Sequence, residues 1–319
     1  MVTRWGILGT GYIARAMADA LQLIPEAHLA AVGSRTQARA DAFGGDYGVP
    51  HRFDTYSAVC ECSDVDVVYV ATPHVFHARD TMMALRARKA VLCEKPFTMD
   101  ASEATEVIDL ARLRGLFLME AMWTRFVPAI VTLQKWIADG AIGSICSVRA
   151  TLGWEMPYDP ASRLFDPALG GGALLDLGVY PLSYFTMLLG EPLEVRSVKV
   201  SAPSGVDLQC AGALGYEKGT LATFVASLEA NLPNEALLVG TKGSLRVHPP
   251  LVAPQALTRT TSNAEPETYK FPVSGNGYVY EAREVMRCLA RGELESSIMP
   301  LDETLAVMRI TDEIRDEWT

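Results

Sequence analysis

The first residues whose types and spacing suit chemistry form a glycine turn. Gly9-Thr10-Gly11-Tyr12-Ile13-Ala14 follows an apolar run and leads into a helix-like segment. Gly9 permits a tight turn, Gly11 lets a pyrophosphate approach the backbone at a helix N-terminus, and Ala14 takes the small position where helix packs on strand. Such a turn can be purely structural; its place at the head of a repeating strand–helix pattern favours nucleotide binding by Gly9, Thr10, Gly11, Tyr12 and Ile13. The next discriminating stretch is Val32-Gly33-Ser34-Arg35-Thr36-Gln37-Ala38-Arg39. An NAD reader places Asp or Glu ~20 residues after the glycines, on the ribose hydroxyls. Here the first acid is Asp41, already inside the next helical segment. The Ser34 hydroxyl with Arg35 and Arg39 suits a ribose 2′-phosphate instead, because guanidinium grips phosphate in a two-pronged fork. NADP is therefore the expected cofactor, with NAD the alternative; a solvated helix start is the other reading of the two arginines. Two more segments, Ala71-Thr72-Pro73-His74-Val75-Phe76-His77 and Cys93-Glu94-Lys95-Pro96, sit at carboxyl ends of expected strands, where ligands of open α/β sheets bind. They make Thr72, Pro73, His74, His77, Glu94 and Lys95 candidates for cofactor binding. His74 and His77 lack a third ligand of matching spacing, so no metal is expected.

A Glu94-Lys95-Pro96 after the fifth strand, joined to an N-terminal glycine turn, resembles the glucose–fructose oxidoreductase / inositol dehydrogenase (Gfo/Idh/MocA) family. Gly170-Gly171-Gly172-Ala173-Leu174-Leu175-Asp176-Leu177-Gly178-Val179-Tyr180-Pro181 is similar to that family's second-domain signature. Met119-Glu120-Ala121-Met122-Trp123-Thr124-Arg125-Phe126 resembles the branch holding dimeric dihydrodiol dehydrogenases and NADP-linked D-xylose dehydrogenases. The resemblance implies that Lys95 and Tyr180 are catalytic, with Asp176 alongside, and that His74 and His77 line the nicotinamide pocket. Many family members carry His where this chain has Tyr180, which favours the sugar and dihydrodiol branch. The chemistry agrees: losing hydride from an alcohol requires a base for the hydroxyl proton, and reducing a ketone requires the reverse. A tyrosine near pKa ~10 serves poorly at neutral pH unless a nearby ammonium favours the phenolate. Tyr180 would then move the proton, Lys95 would support it and hydrogen-bond the substrate, and Asp176 would orient the substrate hydroxyl or Lys95. A surface lysine, a core tyrosine and a turn-capping aspartate are the structural alternatives. Trp123, Arg149 and Trp154 join Lys95, Asp176 and Tyr180 as substrate-binding candidates, since aromatic faces and guanidinium suit polyols; ordinary packing is the alternative.

These residues need a scaffold, and the apolar pattern outlines one. Short strands are expected at 5–8, 29–32, 51–53, 67–71, 90–93 and 116–119, with helices at 13–23, 37–43, 77–88 and 101–114 between them. Asp100 followed by Glu103 is a capping-box start for the last of these. The alternation spells a Rossmann domain over residues 1–122. From 123 to 319 the texture changes: a helix at 129–139, alternating strands at 144–151, 193–201, 211–216, 220–228, 236–239 and 244–247, and helices at 172–189, 278–291 and 301–318. This is an α+β domain built on a large, mostly antiparallel sheet, for substrate binding and oligomerisation; the fold class is α/β overall. Val225, Leu228, Leu237 and Val239 are expected on an open sheet face that pairs two copies into a homodimer or higher oligomer.

Composition bounds the function. At 319 residues the chain suits about two domains of roughly 150 residues. Lys and Arg total 28 against 38 Asp and Glu, a net charge of −10, which argues against nucleic acid or an anionic membrane as partner. No apolar run of ~18 to 20 residues and no signal-peptide layout is read from the sequence, and six scattered cysteines fit reduced thiols, so a cytoplasmic enzyme is expected. The reading is an NADP-preferring oxidoreductase acting on a secondary alcohol, ketone or hemiacetal of a sugar-like or cyclic diol substrate. Trans-1,2-dihydrodiol dehydrogenase is the runner-up, and a non-catalytic dinucleotide-dependent sensor the alternative of another class.

Overall fold

Buried apolar runs lay down the first sheet. A computed structural model describes residues 2–261 and 264–318. Its first strands and helices alternate: β1 Thr3–Leu8, α1 Tyr12–Gln22, β2 Ala27–Gly33, α2 Gln37–Tyr47, β3 His51–Phe53, α3 Tyr56–Glu61, β4 Val67–Val70, α4 His77–Arg86, β5 Ala90–Glu94, α5 Ala101–Arg114 and β6 Leu118–Ala121. The strands form a parallel sheet in the order β3-β2-β1-β4-β5-β6. Every residue of β4 and β5 is buried, as a sheet covered on both faces requires. The strand order reverses across β1 and β4, the switch point where such sheets bind ligands. The α5 start is capped as expected: the Asp100 carboxylate accepts from the Glu103 N–H at 2.8 Å, while Glu103 reaches back to the Met99 N–H at 3.1 Å.

The chain continues through α6 Pro128–Ala138, β7 Ile145–Gly153, α7 Val179–Leu189, β8 Glu194–Ser201, β9 Asp207–Gly215, β10 Leu221–Ser227, β11 Ala236–Gly240, β12 Gly243–Val247, β13 Ala256–Thr261, β14 Glu267–Lys270, α8 Tyr278–Arg291 and α9 Leu301–Asp316. Among the described residues eight strands make the second sheet, β14-β13-β12-β11-β7-β10-β9-β8. Every neighbouring pair in it is antiparallel except β10 with β7. One face of its centre is apolar and buried: Val148, Ala150 and Leu152 lie beside Ala222, Phe224 and Ala226, with Ala236 and Leu238 on the next strand. Helix α7 and the turn before it cover that face.

The chain divides within one residue of the expected boundary at 122, and departs from the expectation in returning to the first unit. The first compact unit runs through Trp123 and also takes up Ser274–Leu305; the second holds Thr124–Val273 and the chain from Ala306. Long-range packing explains the return. Helix α8 packs on α1, Asn276 donates to the Ala16 carbonyl at 2.6 Å, the Leu118 N–H donates to the Leu294 carbonyl at 3.1 Å, and Arg112 pairs with Asp302 at 2.8 Å. A second correction concerns hydropathy. Pro167–Leu189 is long and apolar enough to cross a bilayer, but most of it is buried in the protein, as in the core helix of a folded unit.

Candidate active site

In the first unit, the nucleotide side is built by glycine geometry. Gly9 has φ +111°, and a Cβ there would lie 2.6 Å from the Ala71 carbonyl oxygen, so any other residue would collide with the turn after β4. Gly11 caps α1 in an extended conformation with no side-chain hydrogen bond, and a Cβ on it would meet nothing within 4 Å. The first N–H groups of α1 therefore face an open approach, the arrangement that holds a pyrophosphate. Tyr12 is 86% exposed on the first turn of α1, with Ile13 half-buried beside it. Thr10 and Ser34 share a hydroxyl–hydroxyl contact at 3.3 Å, which brings the end of β2 to the glycine turn. Arg35 and Arg39 are exposed, and with Arg79 they act electrostatically on the Tyr56 phenol. Burial, the larger effect, still raises Tyr56. Asp41, the first acid after β2 in sequence, is engaged by Gln37 at 2.9 Å. Thr72 Oγ1 is buried without a hydrogen-bond partner among the described residues, an acceptor and donor available to a ligand. The donor set fits a dinucleotide.

Histidines and the Lys95 turn complete this side. His77 corrects the expectation that it lines a nicotinamide pocket. Its ring is buried, with Nδ1 2.7 Å from the Pro96 carbonyl and Nε2 2.8 Å from the Thr72 carbonyl. Burial lowers its pKa, while the two carbonyls favour the charged ring; burial prevails. His77 thus ties the loop after β4 to the loop after β5. His74 is also buried, edge-on to His77 at 5.7 Å, and Pro73 is half-buried. Lys95 is half-buried, and the Lys95-Pro96 bond is cis. Glu94 is buried; it accepts from the Tyr69 hydroxyl in a short hydrogen bond and from the Lys95 N–H at 3.2 Å. These two bonds tie Glu94 to β4 and to the start of the Lys95 turn.

In the second unit, the expected helix from 172 begins as a π-helical turn, Leu174–Gly178, before α7. Such wide turns recur at functional sites because they re-aim side chains. Asp207 sets its start: the Leu174 N–H donates to Asp207 Oδ2 at 2.6 Å, and Gly172, with φ +123°, leaves room that a Cβ would take from Asp207. Asp176 lies on this turn, largely buried, paired with Arg163 at 3.0 Å. Tyr180 follows on the first turn of α7, buried to within 6%. Arg125, fully buried, donates to the Ser183 hydroxyl at 2.8 Å and to its carbonyl at 2.9 Å, which fixes α7 one turn beyond Tyr180. Arg163, Asp207 and Arg125 were not singled out from sequence. Arg163 had one usable signal: it is the only cation in the loop 154–166.

The other substrate candidates divide. Trp123 belongs to the first unit, buried and stacked on Tyr278 at 4.7 Å, a packing role. Arg149 is contradicted: it is exposed on β7, between Val148 and Ala150, and so points away from the face that α7 covers. Strand alternation decides this, since neighbouring residues take opposite faces. Trp154 is half-buried at the start of the exposed loop after β7. Leu228 is 1% exposed and is removed from the expected open face. His51, Cys62 and Asp64 bring their ligand atoms within 4.8 Å of one another, but Arg4 already pairs with Asp64 at 3.2 Å.

A glycine turn at the switch point of a parallel sheet, an arginine cluster after β2, and a separate antiparallel unit define a dinucleotide-dependent oxidoreductase class. Residues 3–122 match the oxidoreductase family with an NAD-binding Rossmann fold, and residues 130–246 match the GFO/IDH/MocA C-terminal domain. The chain belongs to the GFO/IDH/MocA family of NAD(P)-binding oxidoreductases. It is 35% identical over 327 residues to trans-1,2-dihydrobenzene-1,2-diol dehydrogenase of Mus musculus, spanning 99% of this chain and 96% of that one. Among solved structures, aldose-aldose oxidoreductase from Caulobacter crescentus, complexed with glycerol, has TM-score 0.91 at 28% identity, over 99% of this chain and 97% of its own. A 3-ketoreductase from Actinomadura kijaniata, with NADP and TDP-benzene, has TM-score 0.89 at 28% identity, over 100% and 98%.

Proposed function

We propose that the protein interconverts a secondary alcohol and its ketone, or a hemiacetal and its lactone, on a sugar-like ring, with NADP preferred over NAD. The observation that carries the substrate side is the pair Asp176 and Tyr180 on consecutive turns, with Asp176 held by Arg163 at 3.0 Å. An ion-paired carboxylate accepts hydrogen bonds and donates none, so Asp176 suits orienting a substrate hydroxyl. The proton then passes to or from the Tyr180 hydroxyl, and the Lys95 ammonium favours the phenolate and donates to the substrate oxygen. The nicotinamide supplies a hydride acceptor or donor at the reacting carbon. On the nucleotide side, the N–H groups at the start of α1 would take the pyrophosphate, and Ser34, Arg35 and Arg39 the 2′-phosphate. A trans-1,2-dihydrodiol substrate is the second reading, favoured by the full-length likeness to enzymes named for it. The protein is further inferred to work as a homo-oligomer with reduced thiols in the cytoplasm; all six cysteines are free.

A panel of aldoses, ketosugars and trans-cyclic diols, each with NADP and with NAD and followed by nicotinamide absorbance, tests this. Turnover of one ring class, faster with NADP, is expected; no turnover of any member would remove the reading. Arg35→Ala separates the cofactors: a charge-assisted phosphate contact is worth about 1.5–3 kcal/mol, so NADP affinity should fall ~10- to 100-fold while NAD affinity holds. Equal loss for both cofactors would take the 2′-phosphate away from Arg35.

A further inference from the structure

Helix α8 carries a carboxyl that the chemistry above does not use. Glu281 is 0% exposed, and neither carboxyl oxygen has a hydrogen-bond partner among the described residues. Its electrostatic neighbour is Glu94, on β5 next to Lys95. Two carboxylates in one dry interior cannot both keep their charge, because burial removes the water that would separate them. Hydrogen bonds decide which one holds it. Glu94 accepts from the Tyr69 hydroxyl and from the Lys95 N–H, two donors that favour an anion. Glu281 has no such donor, and burial with the charge on Glu94 pushes it well above the usual carboxylate range. The other ionisable groups nearby do not relieve it. The Tyr69 phenol on β4 is itself pushed up, by burial first and then by Glu94, Glu281 and Tyr278. Glu120 on β6 is another buried acid, felt with Glu94 by Cys93. Helix α1, which packs on α8, commits Arg15 to Asp46 and Asp19 to Tyr47.

We propose that Glu281 is a positioning residue: it keeps the proton of a buried carboxyl pair, so that Glu94 keeps the charge that anchors the Lys95 backbone. An ionised Glu281 would repel Glu94 from Tyr69 and from the Lys95 N–H, and move the turn that presents the ammonium. The role of Lys95 rests on the function proposed above, but the proton on Glu281 does not, and the two are tested apart.

The test compares the whole chain with Glu281→Gln, which copies the neutral acid, and Glu281→Met, which keeps the bulk without a donor. Thermal melts from pH 4 to pH 8.5 read the protonation. The folded parent holds a proton that its unfolded chain releases above about pH 4.3, so the parent should lose stability, relative to either variant, as pH rises. The difference should correspond to one proton between pH 5 and pH 8. A Gln-minus-parent difference that does not change with pH would overturn the proposal. Should Glu281→Gln not fold, the Met variant gives the same slope. The positioning role is read on any substrate the parent turns over: Glu281→Gln and Glu281→Met, both neutral, should keep kcat within about twofold, and Glu94→Gln, which removes the charge that holds the Lys95 N–H, should lower it about tenfold with cofactor Kd unchanged. A Glu94→Gln protein with the parent's kcat would sink the link to Lys95. A parent without turnover would instead count against the proposed function and leave the melts to decide on Glu281.

Discussion

Tyr180 and Lys95 serve one proton transfer in the proposed chemistry, and their variants should behave as one unit. Tyr180→Phe keeps the ring and its buried packing but deletes the hydroxyl. Turnover should fall about 10²- to 10⁴-fold, with cofactor affinity unchanged because Gly9, Gly11 and Arg35 are untouched. Lys95→Met should cost a similar factor, and the double variant should lose little beyond either single one. Steady-state kinetics of the four proteins check this. Near-parent turnover by Tyr180→Phe would move the proton to another group. At this scale the sequence was most legible where chemistry and backbone coincide: Gly9 stands where the turn admits only glycine, and Gly11 leaves the start of α1 open to a ligand. It was least legible where a residue's face decides. His77 reads as a pocket histidine by its place after β4, yet both its nitrogens are spent on backbone carbonyls. Arg149 reads as a polyol binder by type, yet sits on the wrong side of its strand.

The π-helical turn shows how an element can depend on one side chain far away in sequence. Asp207, half-buried at the start of β9, takes the Leu174 N–H and is pushed up by its partial burial to about 6 from 3.8. The folded chain therefore holds a proton there that the unfolded chain releases between about pH 4 and pH 6. Stability from this residue is full below that window, falls across it and stays low above. Asp207→Asn keeps an oxygen for Leu174 and cannot titrate. Melts should show little change at pH 4 and a gain at pH 7.5 of up to about 3 kcal/mol, reduced by the weaker acceptor. A variant less stable than the parent at pH 7.5 would mean that the charge itself holds the turn. Nothing near Leu174 announces Asp207 in the sequence, 33 residues on. The elements that escaped sequence reading share a cause. Helix α3 is six residues long, too short to show a period, and β13 and β14 are polar strands at the sheet edge, defined by pairing rather than by burial. The helices and strands that bury a full face were read to within a few residues.

For the whole molecule, sequence order misplaced the return of residues 274–305, because the contacts that hold α8 to α1 join segments more than 250 residues apart. Assembly is a question of the second sheet. Its buried face is spent on α7; its other face presents Leu221, Thr223 and Val225 on β10, Ser147, Arg149 and Thr151 on β7, and Leu237 and Val239 on β11. Leu221 is 58% and Val239 40% exposed, while Arg149 stands beside Thr223 and Leu237. Aliphatic residues around an arginine are the composition of a pairing surface, and an open antiparallel face can meet its own copy across a twofold axis. A homodimer through this face is therefore expected. Light scattering at micromolar concentration should give twice the 34.6 kDa of the chain. Val225→Glu with Val239→Glu sets like charges close across the axis and should return the mass to one chain, with the melting profile of the second unit kept. A parent that scatters as a monomer would end the claim, and a double variant that stays dimeric would move the interface to another surface.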